Sequence, residues 1–211
     1  MIKISNYSDI PGWGNFNLIY KQLLSTLPSN ASILELGVGY GRGTWAMLDA
    51  MTDDMSLYVL DYFGGKKCDN GFRWNSIKND LSFPRTLTPK NYKRLSKVLP
   101  TISQKTAFMS IISQHPKFFQ LKNIYEIKSK DYMSQNNRSN FDLVFLDGDH
   151  SYETVAQELE YFKDCTLITG HDYNNSHPSV IQAVNEFLET HKDRSLKVLN
   201  TQSVFVIEKV I

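Results

Sequence analysis

The chain has 211 residues, with 23 Lys plus Arg against 22 Asp plus Glu, 41% hydrophobic residues and 12% aromatics. That balance fits one α/β domain with a real core and excludes a mainly disordered chain. No apolar run approaches the roughly 20 residues that cross a bilayer, and the polar opening lacks a signal-peptide core. A cytoplasmic protein without a membrane partner is therefore expected.

Phe16, Ile19, Leu23 and Leu27 recur at helical spacing and predict an amphipathic helix over 15–27. Ser32–Leu36 is a short apolar run that ends in glycines, the mark of a buried strand entering a tight turn. A helix over 44–51 and a strand over 57–60, ending at Asp61, follow. Residues 64–122 contain no strand-like run, and Pro84, Pro89 and Pro100 punctuate pieces that read as helical. This stretch holds 12 basic and two acidic residues, a charge of +10 against −9 for the remainder. The only cysteines, Cys68 and Cys165, lie too far apart for a disulfide framework or a Cys-based zinc site.

Alternation then resumes, with strands over 124–127, 141–146 and 166–169. Helices over 152–163 and from about Pro178 separate them, the second marked by Ile181, Val184 and Leu188. Two last strands, 196–199 and 203–207, are close enough for an antiparallel pair. The pattern predicts a seven-stranded, mostly parallel sheet with an antiparallel last strand and helices on both faces. The basic stretch is a helical insertion after strand two, within a single domain spanning 1–211.

Glu35-Leu36-Gly37-Val38-Gly39-Tyr40-Gly41 joins the first strand to its helix. Glycines allow positive φ and close approach to a ligand, and the helix start offers unpaired N–H groups to an anionic group. The dinucleotide spacing G-x-G-x-x-G fails at Arg42, and the phosphate loop fails for want of its lysine. The E-x-G-x-G-x-G run resembles the first motif of class I S-adenosylmethionine-dependent methyltransferases, which have a Rossmann-like fold. That resemblance implies that Gly37, Gly39, Gly41 and Thr44 lie along the cofactor and that Glu35 supports its polar end. Asp61, 26 residues beyond Glu35, takes the ribose, and Asp131 reaches the adenine. A ligand-free glycine turn is the plainer alternative.

Asp147-Gly148-Asp149-His150-Ser151-Tyr152-Glu153 closes strand four, and Gly170-His171-Asp172-Tyr173 closes strand five. Polar residues crowded at strand ends point to function. The two motifs resemble the branch of that family related to catechol O-methyltransferase, which includes enzymes of sugars and other natural products. The resemblance implies a divalent cation on Asp147, His171 and Asp172, with His150 or Asp149 as general base. Mg²⁺ comes first, with Mn²⁺ or Zn²⁺ as alternatives. His171 stands where the family usually has an acid, and imidazole suits softer ions better than Mg²⁺. Either the metal differs, or His171 only orients Asp172, or no metal binds. Asp149 or Ser151 could simply cap the next helix. His115, His177 and His191 read as structural or solvated.

The expected reaction is cation-assisted O-methylation of a small hydroxylated molecule. Twelve cations in an insertion that folds over the site as a lid favour an anionic acceptor such as a nucleotide-linked sugar. Phe72, Trp74, Phe83, Phe108, Phe118 and Phe119 would line it or form the insertion's own core. A solvated basic face or a contact between like chains in a homo-oligomer is the bland explanation of the charge. Rival readings are a nucleic-acid methyltransferase guided by the basic stretch, which no recognition motif supports, and a cofactor-binding module without turnover.

Overall fold

Short runs of Leu, Ile and Val bounded by glycine and turn residues become strands wherever both faces can be buried. A computed structural model describes residues 3–12, 14–65, 102–135, 140–199 and 203–210. Among these, the strands are β1 (Ser32–Leu36), β2 (Ser56–Leu60), β3 (Leu121–Tyr125), β4 (Leu143–Leu146), β5 (Leu167–Gly170), β6 (Arg194–Leu199) and β7 (Val204–Lys209). The helices are α1 (Asn17–Leu24), α2 (Arg42–Ala50), α3 (Gln104–Ile112), α4 (Ser129–Ser134), α5 (Tyr152–Tyr161) and α6 (Pro178–Thr190). The described residues fall into two compact units.

One unit contains the whole sheet, in the order β3-β2-β1-β4-β5-β7-β6. β7 runs antiparallel to both β5 and β6, and the other pairings are parallel. This is a Rossmann-like arrangement, and the reversed last strand is as expected. One layer of core joins Leu34, Leu36, Val144, Leu146 and Ile168 of the sheet to Val155 and Leu159 of α5 and Val180, Val184 and Phe187 of α6. The alternating residues Ile33, Leu57, Val59, Leu143 and Phe145 are buried as well, so the central strands are apolar on both faces.

β3 begins at Leu121, three residues before the expected 124. It is an edge strand whose Lys122 and Asn123 are exposed, and an edge tolerates polar residues that hide the strand's start from a hydrophobicity reading. Helix α1 is shorter than the 15–27 expected because Phe16 and Ser25 serve as its caps.

The other unit contains α1, α2 and α3. Arg42, the residue that breaks the dinucleotide spacing, is a buried clamp. Its Nε donates to the Gly14 carbonyl at 3.0 Å, and Nη1 donates to the Ile10 and Tyr7 carbonyls at 3.0 and 3.3 Å. The guanidinium also lies 5.1 Å from the Tyr7 ring centre. Within the same unit His115 Nε2 lies 3.0 Å from Asp49, and its Nδ1 accepts from the Lys117 N–H at 3.0 Å. His115 is structural, as expected. Phe108 is fully buried here and tilts against Phe63. Most of the basic insertion, with the lid expected of it, lies outside the described residues. No helix among the described residues is long and apolar enough to cross a membrane.

Candidate active site

In an open parallel sheet a ligand crevice forms beyond the strand carboxyl ends, where the strand order reverses. Here the reversal falls between β1 and β4, whose last residues, Leu36 and Leu146, are in register. The Asp147 N–H donates to the Leu36 carbonyl and the His171 N–H to the Leu146 carbonyl, both at 3.0 Å. The two motif loops therefore leave the sheet side by side.

Gly37, at φ +81°, is where the glycine loop starts. A Cβ there would sit 2.0 Å from the Asp147 carbonyl oxygen and 2.7 Å from Gly148 Cα. The first glycine is thus required by the Asp147 loop that presses on it. Gly39 has φ +55°, and a Cβ on it would have nothing within 4 Å. Its place in the loop is open to a ligand as the Gly37 position is not. Glu35 and Thr44 are buried, which suits a supporting part. Asp61 is half-buried just past β2, its N–H donating to the Tyr125 carbonyl at 3.1 Å. Asp131 is exposed in the first turn of α4.

Beyond β4 and β5 the structure brings together two carboxylates and three imidazoles. His171 Nδ1 lies 3.4 Å from Asp147 Oδ1 and 3.3 Å from Asp172 Oδ1. Those three atoms form a compact set that could hold a metal ion. His150 Nε2 lies 2.9 Å from Asp172 Oδ2 and 3.8 Å from Asp147 Oδ1. His177 Nδ1 lies 3.5 Å from Asp172 Oδ1. Asp172 itself has φ +63°, a left-handed conformation that costs energy for a non-glycine residue and concentrates at functional sites.

Charge explains the proton affinities of the cluster. The Asp147 and Asp172 carboxylates push the His150 imidazole up to about 9. Burial works against protonation of His171, yet Asp147 and Asp172 outweigh it and raise the ring to about 10. Burial likewise opposes ionisation of Asp172, but His150 and His171 hold its carboxyl well below the usual range. Despite its short approach, His150 Nε2 makes no directional hydrogen bond, and neither does His177 Nδ1, among the described residues. Both atoms are shielded from solvent, so attraction here comes from proximity of charge.

Asp149 stands apart from this cluster. Its Oδ1 accepts the Ser151 N–H at 2.8 Å, which lowers its carboxyl, and it shapes the turn into α5. His177, expected to be structural or solvated, joins the cluster instead. The Asn174 N–H donates to the Asp172 carbonyl at 2.8 Å, and the His177 N–H donates to the Asn174 carbonyl at 2.9 Å. These turns fold His177 back over the carboxylate five residues before it. The tyrosines of both motifs fix the loops to α6: Tyr152 donates to Glu186, and Tyr173 to Asn185 Oδ1 at 2.9 Å.

Residues 34–173, about two thirds of the chain, match the model of a methyltransferase-domain family, Methyltransf_24. No curated protein matches the sequence significantly. Solved structures share the fold at low identity. The TDP-rhamnose 3'-O-methyltransferase of calicheamicin biosynthesis is 15% identical with a TM-score of 0.53, over 92% of this chain and 76% of that one. The O-methyltransferase TomG from Streptomyces achromogenes, solved with S-adenosylmethionine, is 15% identical with a TM-score of 0.50, over 92% and 78%. A Clostridium thermocellum protein described as an rRNA methylase is 13% identical with a TM-score of 0.52, over 100% and 99%.

Proposed function

Because the chain belongs to the S-adenosylmethionine-dependent methyltransferases of the Methyltransf_24 family, we propose that it methylates a hydroxyl of a small, sugar-like, anionic acceptor with the help of a divalent cation. The observation that carries this reading is the convergence of Asp147, His171 and Asp172 beyond β4 and β5, with His150 beside them. That cluster shares the Asp147 loop with the first glycine of the cofactor motif.

When bound, S-adenosylmethionine supplies an electrophilic methyl group, and a divalent cation supplies Lewis acidity toward the acceptor oxygen. The donor set fits a cation. Two carboxylate oxygens lie 3.3–3.4 Å from one imidazole nitrogen, all three within 4.8 Å of one another, and neighbouring imidazole nitrogens have no hydrogen-bond partner among the described residues. Gly37, Gly39 and Gly41 give the methionine part its loop, Asp61 takes the ribose hydroxyls, and Asp131 meets the adenine. With Asp147 and Asp172 engaged by a cation, the pull that raises His150 is offset, and the ring nitrogen turned away from Asp172 takes the proton from the acceptor hydroxyl. Asp172, 2.9 Å from His150 Nε2, orients the ring and stabilises the imidazolium that forms. Asp149 is too committed to its turn to compete for that part. Orientation does the remaining work, since transfer needs nucleophile, methyl carbon and sulfur in line.

The +10 stretch supports an anionic acceptor. The calicheamicin enzyme, by its name, acts on a nucleotide-linked sugar, which is an acceptor of that class. The same charge, together with the likeness to the Clostridium protein, keeps polynucleotide as a second reading. Protein supplied with S-adenosylmethionine and Mg²⁺ or Mn²⁺ should form S-adenosylhomocysteine on a panel of nucleotide sugars, and EDTA should suppress it. Asp147→Asn should lower the rate about a hundredfold or more while cofactor binding persists. Turnover on RNA alone would select the second reading.

A further inference from the structure

Asp172 belongs to two sets of converging ligand atoms, and the reading above uses only one. The second consists of His150 Nε2, an Asp172 carboxylate oxygen and His177 Nδ1, all within 4.8 Å of one another. Asp172 approaches His150 at 2.9 Å and His177 at 3.5 Å, and the two imidazole rings lie 5.0 Å apart at an interplanar angle of 43°. Each ring offers a nitrogen shielded from solvent that lacks a hydrogen-bond partner among the described residues. Two unsatisfied nitrogens aimed at one carboxylate call for an explanation. If both were simple ion-pair donors to Asp172, directional N–H···O geometry would be expected, and neither has it. Two imidazole nitrogens and a carboxylate oxygen that converge within 4.8 Å without hydrogen bonding are what a cation resolves once it displaces the ring protons.

We propose that His150, Asp172 and His177 form a second cation site, selective for imidazole-preferring transition ions such as Zn²⁺, Co²⁺ or Ni²⁺ over Mg²⁺. Two imidazoles and one carboxylate make a borderline-soft donor set that leaves coordination positions open. Mg²⁺ prefers oxygen ligands, so the first set, with its two carboxylates, suits it better than the second. The side chains are accessible enough for entry, at 36% exposure for His150 and 35% for His177. The position has a consequence for turnover. A transition ion on His150 Nε2 leaves the ring's proton on its other nitrogen, which the proposed reaction needs free for the acceptor's proton, so occupancy of the second site inhibits. Only that consequence rests on the proposed function; the site itself does not.

The test uses the full chain without a histidine tag, freed of metal. Co²⁺ is titrated by visible absorption, Zn²⁺ and Mg²⁺ by calorimetry, and S-adenosylmethionine binding is measured on each variant as a separate check of folding and of the methyltransferase reading. Wild type should give Co²⁺ d–d bands and bind Zn²⁺ more tightly than Mg²⁺. His177→Ala should weaken Co²⁺ and Zn²⁺ by about tenfold or more, with Mg²⁺ and cofactor binding unchanged. His177→Cys should restore Co²⁺ binding and add a thiolate charge-transfer band in the near ultraviolet. Asp147→Asn should leave the Co²⁺ spectrum in place. The proposal is overturned if neither transition ion binds wild type, if His177→Ala binds both as tightly, or if Asp147→Asn alone removes them. Cofactor binding would survive each of those failures, so the family's chemistry stands or falls separately.

Discussion

At the scale of single residues, the motif glycines divide by physical cause. Gly37 combines φ +81° with a Cβ position 2.0 Å from the Asp147 carbonyl oxygen, so backbone must move to accept any side chain. Gly37→Ala should cost on the order of 3 kcal/mol, lowering the thermal midpoint by roughly 6–12 °C. Gly39→Ala meets no atom within 4 Å and should cost only about 1–2 kcal/mol for its positive φ. Its main effect should be on S-adenosylmethionine affinity, down about tenfold or more by calorimetry. Equal stability losses in the two variants would contradict this division. Gly41 has a third cause, because a Cβ there would meet Ile112 and Phe108 side chains at 2.7 and 3.1 Å. One sequence pattern thus serves loop contact, ligand access and core packing at successive positions.

At the scale of elements, α5 carries a buried carboxyl that no catalytic argument uses. Glu158 is 1% exposed. Burial pushes it up to about 7, against the opposing hydrogen bond with Ser129 at the start of α4. The folded state therefore holds this proton more tightly than the unfolded chain does. Stability from this group is present below its ordinary range near 4.5 and falls as pH rises toward 7. Glu158→Gln removes the ionisation and should stabilise the protein by on the order of 1–3 kcal/mol near pH 8, with little change near pH 5. Thermal midpoints at the two pH values check it, and an equal shift at both would count against burial as the cause. Helix α6 acts differently, through Glu186 and Asn185, which receive the Tyr152 and Tyr173 hydroxyls. It thereby ties both motif loops to one rigid element, a precondition for holding ligands in fixed geometry.

For the whole molecule, a basic stretch within an acidic remainder sets the acceptor question. A small anionic acceptor carries few charges, so its KM should change by less than about tenfold between roughly 50 and 200 mM salt. A polynucleotide contacting six to ten cations would lose about 10³–10⁵ in affinity over that range. The central fold was legible in the sequence because β1, β4 and β5 are largely apolar and lead into glycine or acid, whereas the start of β3 hid behind its exposed Lys122 and Asn123. Asp147, His171 and Asp172 were legible because neighbouring parallel strands present their ends together. His177 was not, since its partner lies across a tight turn through a left-handed Asp172 that no periodicity announces. Arg42 was read only as a failed dinucleotide position, because three carbonyl acceptors leave no trace in side-chain pattern. Cofactor binding underlies every step of the proposed reaction, and calorimetric titration of S-adenosylmethionine into the metal-free chain tests it. The expected result is a single saturable site, weakened by Asp61→Ala and retained by Asp147→Asn. No binding, with or without added Mg²⁺, Mn²⁺ or Zn²⁺, would contradict it and leave the glycine loop as a turn alone.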